Sequence, residues 1–181
     1  MALTLLTLTD KVRRLMKDDR REMVTDIESA SLEGLKAFSR SIIDQPERVA
    51  LEISANVTLS SADANGVQSG TFPSTIVHES VRDGDVSHAD LAKPLQKCLS
   101  IGDPQFQYIW SNSVYGRFVI SENKLFTRKP SGSFATGTPV IVRGVRLLGA
   151  TPVVNTELGF VPVALEDRIV DFLFLRITRP G

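Results

Sequence analysis

The sequence has one cysteine, two histidines and one tryptophan, and its basic and acidic residues cancel at 21 each. A lone Cys98 cannot close an internal disulfide, so the fold gets no covalent staple and a reducing compartment is its natural setting. Cysteine and histidine together are too few for a zinc site. A formal net charge of zero gives no reason to make nucleic acid or a membrane surface the main partner. No apolar run approaches the roughly 18 residues a membrane helix needs, and the most apolar stretch, 169–175, already holds Asp171. Residues 1–8 are apolar but short, lack a basic leader and a small-residue cleavage site, and so do not read as a signal peptide.

What is present is ordinary for a folded chain: 42% hydrophobic and 23% charged residues over 181 positions, enough for one core. In 9–17, Leu8, Val12, Leu15 and Met16 recur at helical spacing, which predicts a short amphipathic helix; the five charges of 18–22 then form a solvated turn. Thr25 and Glu28 stand at capping-box spacing, so a second helix is expected to start there. Along it Ile27, Leu35, Phe38 and Ile42 share one stripe, and Ala30, Gly34, Ala37 and Ser41 form a neighbouring stripe of small side chains that lets another helix come close. Gln45-Pro46 is expected to end it.

The period then changes. Val49, Leu51, Ile53, Ala55, Val57 and Leu59 alternate as in a half-buried strand. Residues 60–70 read as an exposed loop, 75–79 as a strand carrying His78, and 82–90 as irregular, with a short helix over 88–99 despite Pro94. The region 106–128 looks stranded, with Phe118, Ile120, Leu125 and Thr127 flanking Glu122-Asn123 as a tight hairpin turn. Residues 130–137 form a second, Ser- and Gly-rich flexible loop, and 140–148 a strand broken by Gly144. From Pro162 a last helix is expected, with Glu166 and Asp167 near its positive end and Leu165, Ile169, Phe172, Leu173 and Arg176 on one side. A buried strand over 168–178 is the alternative. The fold class is therefore α+β: one domain with a helical body at 1–46 and 160–178 and a β-rich insertion at 47–159.

Chemistry finds little to work with. His78 and His88 read as surface or edge histidines with no nucleophile motif beside them, and Cys98 as an inert packing residue. Asp83, Asp85, Ser87 and Asp90 are oxygen-rich but lack a complete calcium loop, so a solvated turn is the better reading. Ser131-Gly132-Ser133 is far from a nucleophile elbow. The basic run Lys11, Arg13, Arg14, Lys17, Arg20 and Arg21 is interleaved with acids and has no stacking aromatics, which fits a salt-bridged face. No catalytic, cofactor or metal residue is expected, and the chain is not expected to be an enzyme. The loops at 60–70 and 130–137 are instead the natural binding elements, which points to assembly.

Three segments carry a resemblance: the opening helix 8–19 with the helix that follows from Thr25, the hairpin Tyr115-Gly116-Arg117-Phe118-Val119-Ile120-Ser121-Glu122-Asn123-Lys124-Leu125-Phe126, and the closing helix from Pro162 to Arg176. In these the chain resembles the head-to-tail adaptor (connector, head-completion) proteins of tailed bacteriophages. The resemblance covers about half the chain, and 60–103 aligns with nothing in it. It implies a non-enzymatic virion protein of the neck or tail, assembled in the host cytoplasm as a homo-oligomeric ring. Its partners would be its own subunits, the portal protein, and a tail tube, nozzle or stopper protein, with DNA passing the lumen unread and no membrane involved. Arg13, Arg14, Arg20 and Arg21 would face a neighbour or the DNA passage, and Arg176 and Arg179 the portal. Two other classes remain open: a β-rich module binding a host surface or carbohydrate, which would expose aromatic platforms, although Tyr108, Trp110 and Tyr115 read rather as core and hairpin packing, and a small hydrolase built on Cys98 or a loop carboxylate.

Overall fold

The computed structural model describes residues 3–16, 24–109, 113–150, 158 and 161–178, with the side chains of 24–26 excepted. In chain order these form α1 (Leu5–Met16), α2 (Val24–Ser41), a 3-10 turn (Pro46–Leu51), β1 (Glu52–Thr58), β2 (Val67–Thr71), a second 3-10 turn (His78–Ser80), β3 (Val86–Ser87), β4 (Gln96–Lys97), α3 (Pro104–Gln107), β5 (Arg117–Ser121), β6 (Lys124–Arg128), β7 (Pro139–Val145) and α4 (Val163–Thr178). The protein is mixed α+β, with helices at both ends and sheet between them. Two compact units divide it: Met1–Glu52 with Val145–Gly181, and Ile53–Gly144.

In the helical unit α1 begins earlier than its charged segment predicts, because Thr4 caps it. Thr4 Oγ1 accepts from the Thr7 amide at 3.1 Å, and the Thr4 amide donates to Thr7 Oγ1 at 2.9 Å. This is the reciprocal logic of a capping box with a threonine in the glutamate's place; the pair expected at Thr25 lies outside the described side chains. The early start turns Leu5, Leu8 and Val12 inward and leaves Leu15 exposed. In α2 the predicted stripe of Ile27, Leu35, Phe38 and Ile42 is buried throughout, each side chain contributing on the order of 1.5–3 kcal/mol. On the small-residue stripe a Cβ added to Gly34 would sit 2.2 Å from Leu173 Cδ2 of α4, so the close helix approach is real. α4 is a helix and not the alternative strand, burying Leu165, Ile169, Val170 and Leu173.

α2 stops at Ser41, before Gln45. Pro46 does not end the helix but opens the 3-10 turn as its first residue, where its missing amide costs nothing. That turn takes the first positions of the predicted strand, so Val49 is 74% exposed while Leu51 is buried. Ser39 Oγ donates to Leu35 O at 3.0 Å and accepts from the Leu148 amide at 2.8 Å, joining the returning chain to α2. Phe38 meets Phe172 edge-on at 5.5 Å. Ion pairs Lys11–Glu166 and Arg168–Glu47 span the helices at the surface, where such pairs add little.

The β unit contains two sheets, ordered β1-β7-β3 and β2-β6-β5-β4. The β5–β6 hairpin forms as predicted, with Ser121 opposite Lys124 across Glu122-Asn123. β2 occupies 67–71, most of it inside the 60–70 stretch read as loop, and pairs antiparallel with β6 from Val67↔Arg128 to Thr71↔Lys124. The helix expected over 88–99 is absent: the Leu95 amide bonds Val86 O at 2.7 Å, and β4 lies parallel to β5. The strand expected at 75–79 is instead the His78–Ser80 turn, and Phe106 sits on α3, capped by Asp103 Oδ1 on the Gln105 amide at 2.8 Å. Phe118, Leu125, Val142, Phe134 and Val86 fill the main core, and a smaller cluster of Cys98, Phe106 and Val119 covers the other face of the β5–β6 pair. Gly144, predicted to break β7, lies within it where a Cβ would meet Ile76 at 2.6 Å and Ser80 Oγ at 2.7 Å.

Candidate functional site

The two loops read as binding elements meet inside the β unit. The first is shaped by Asp63, whose Oδ1 accepts from the amides of Asn65 at 2.8 Å and Val67 at 2.9 Å, an Asx turn feeding β2. The second leaves β6 through Arg128 and Lys129 and is pinned by Gln68. The buried Gln68 amide accepts from Phe134 N at 2.6 Å and donates to Phe134 O at 3.1 Å, across 66 residues of chain. Far from being loose, the Ser- and Gly-rich segment is anchored by Phe134 in the core. Gly66 and Gly132 both take left-handed φ, 74° and 71°, and a Cβ on Gly66 would reach within 3.6 Å of Gly132 O.

Between these loops opens a cleft of about 400 Å³, lined among others by Asp63, Asn65, Ile109, Arg128, Lys129 and Ser133. Arg128 donates through Nη1 to the carbonyls of Phe106, at 3.2 Å, and Gln107. Lys129 Nζ lies 3.4 Å from Asp90 Oδ2. Directly across the strand from Arg128 stands Arg117, whose Nε is enclosed without a hydrogen-bond partner among the described residues. Like charges placed opposite one another in a sheet repel. Among the described residues neither arginine makes an ion pair.

No protein-family model matches this chain, and no curated protein matches it. The site has to be read from its own chemistry.

His88, expected in a polar surface loop, is buried, its ring 4.4 Å from that of Phe134. Its Nδ1 accepts from the Asp90 amide at 3.0 Å, and its Nε2 has no hydrogen-bond partner among the described residues. His78 is half-buried and packs edge-on against Phe72 at 4.3 Å. Cys98 is buried, and burial first, then the negative charge of Asp103, pushes its thiol up from the ordinary range. That is the opposite of an activated thiolate. In the acidic turn Asp85 Oδ2 accepts from the Arg82 amide at 2.7 Å and Asp83 from the Lys97 amide. These two carboxylates are thus spent on separate backbone donors, and among the described residues no three metal-ligating side chains converge.

Of the arginines expected at an interface, Arg14 and Arg176 are exposed on α1 and α4. Arg13 is largely covered and bonds Asp10 Oδ1 at 2.9 Å. Arg20, Arg21 and Arg179 lie outside the described residues, as does Trp110. Tyr108, read from the sequence as core or hairpin packing, is instead 76% exposed in the β unit, and two side chains that no sequence pattern marked are also open: Val163, 82% exposed in the helical unit, and Leu99, 95% exposed in the β unit. No helix among the described residues is long and apolar enough to cross a membrane.

Proposed function

We propose that this chain is a structural subunit of a tailed-phage neck, a head-to-tail adaptor that assembles into a homo-oligomeric ring between the portal and the tail and performs no chemistry. The observation that carries the reading is the exposure of large apolar side chains in both units: Val49 and Val163 in the helical one, Leu99 and Tyr108 in the β one. A ring that closes by rotation uses two different complementary patches on each subunit, and two compact units can each supply one. The helical ends and the β5–β6 hairpin carry the likeness to adaptor proteins, and zero net charge spares many adjacent copies from self-repulsion. Arg14 and Arg176, exposed on α1 and α4, would meet a neighbour or the portal. In this reading the protein belongs to the virion and passes through the host cytoplasm during assembly.

The test is electron microscopy of purified virions, or of the protein mixed with candidate portal. A symmetric ring of this chain between capsid and tail is the expected result; the protein found free or at a fibre tip discards the proposal. Mixing with portal matters because such rings can form only on a template. A second reading, a β-rich binding module, draws on the loop cleft and on the exposed Tyr108 beside it. It predicts a monomer that retains a glycan on an array, whereas the adaptor does not.

A further inference from the structure

We propose that the cleft between the 60–66 and 129–133 loops binds an acidic peptide segment of a partner protein, its carboxylates meeting Lys129 and Arg128. The inference stands on the β unit alone and does not need the ring.

Charge sets the ligand's sign. Arg128 and Lys129 line one wall, and Arg117 adds a third cation across the strand. The cleft's own carboxylate, Asp63, accepts from two backbone amides and keeps its charge, one anion against the two cations that line the cleft. Arg128 is aimed by two carbonyls, which fix its geometry without cancelling its charge. Lys129 shares Asp90 only at the surface, a pairing that an incoming carboxylate can replace.

Shape and rim set the ligand's size. The walls are preformed: the Asx turn holds one, the Gln68–Phe134 lock the other, and two left-handed glycines let the loops approach. A preformed site spares the ligand the cost of ordering the loops. About 400 Å³ suits a few side chains more than a lone inorganic anion. Ile109 adds an apolar side chain to the cleft lining, and its chain neighbour Tyr108 is 76% exposed. An exposed tyrosine near half-buried cationic anchors is in keeping with a protein-binding surface.

The measurement is fluorescence anisotropy of the full chain with a fluorescein-labelled Glu/Leu peptide and its Gln/Leu counterpart. The Glu peptide is expected to saturate the protein, to weaken as salt rises, and to bind at least about tenfold tighter than the Gln peptide. Lys129→Glu and Asn65→Glu, on opposite walls and near the surface, are each expected to weaken it by about tenfold or more. If Lys129→Glu does not fold, as judged by circular dichroism, Asn65→Glu decides. Absence of binding, equal binding of the two peptides, or unchanged affinity in a folded variant overturns the proposal. Displacement by free citrate at peptide-like concentrations also overturns it, in favour of a small-carboxylate site.

Discussion

Gly34 of α2 faces Leu173 of α4 so closely that a single added methyl would lie 2.2 Å from Leu173 Cδ2. Leu173 is fully buried and cannot swing aside into solvent. Gly34→Val is therefore expected to destabilise the protein by about 2–3 kcal/mol, overpacking outweighing any gain in helix propensity. Urea unfolding measures it. Adding Leu173→Ala should recover part of the loss; simple additivity of the two changes would show that this contact is not the cause.

Ser39 holds two bonds in a buried position, one to Leu35 O and one from the Leu148 amide. Ser39→Ala leaves that amide without its acceptor, at a cost of about 1–3 kcal/mol. A native-state hydrogen-exchange experiment should show the Leu148 amide losing protection first. Unchanged stability would mean that another group takes the hydroxyl's place.

The hairpin turn at Glu122 has φ 54°, a left-handed conformation that a side chain with a Cβ adopts at some cost. Asparagine tolerates that region better and suits the first central position of a tight hairpin. Glu122→Asn is expected to stabilise the protein by about 0.5–1 kcal/mol, read as a rise in melting temperature. A fall would show that the Glu122 side chain makes a contact worth more than the strain.

Burial raises the Cys98 thiol, so the unfolded chain loses its proton at lower pH than the folded one. The stability this contributes is fully present below the ordinary thiol range of about 8.5 and declines as pH rises above it, because the unfolded state then binds fewer protons. Chemical unfolding between neutral and alkaline pH should show this slope, and Cys98→Ala should flatten it. Ellman's reagent should label the native thiol slowly and the urea-unfolded one at once.

Local patterns carried much of this fold into view. The α2 stripe, the α4 helix and the Glu122-Asn123 hairpin each depend on neighbours within a few residues, so periodicity and turn chemistry reveal them. β2, β4 and the burial of His88 depend on partners far along the chain. The pairing of Gly70 with Leu125 is one such case, and His88 against Phe134 another. A polar-looking segment such as 82–90 gives no local sign that its histidine is enclosed. The candidate site was half legible for the same reason: both loops stood out by composition, whereas their meeting depends on Gln68 reaching Phe134. The α1 start was missed because Thr4 and Thr7 form a capping pair in which neither residue is a glutamate.

The helical unit is assembled from two stretches of chain, Met1–Glu52 and Val145–Gly181, with the β unit as one unbroken stretch between them. Synthesis proceeds from the N-terminus, so during translation α1 and α2 emerge first and then wait for α4. The buried side of α2 that receives Leu173 has no cover until nearly the whole chain has left the ribosome. The β unit has its whole sequence available earlier and is expected to acquire protease resistance first. Residues 1–144 tethered to the ribosome by a linker long enough to clear the exit tunnel should then yield a protected central fragment and freely cleaved N-terminal helices.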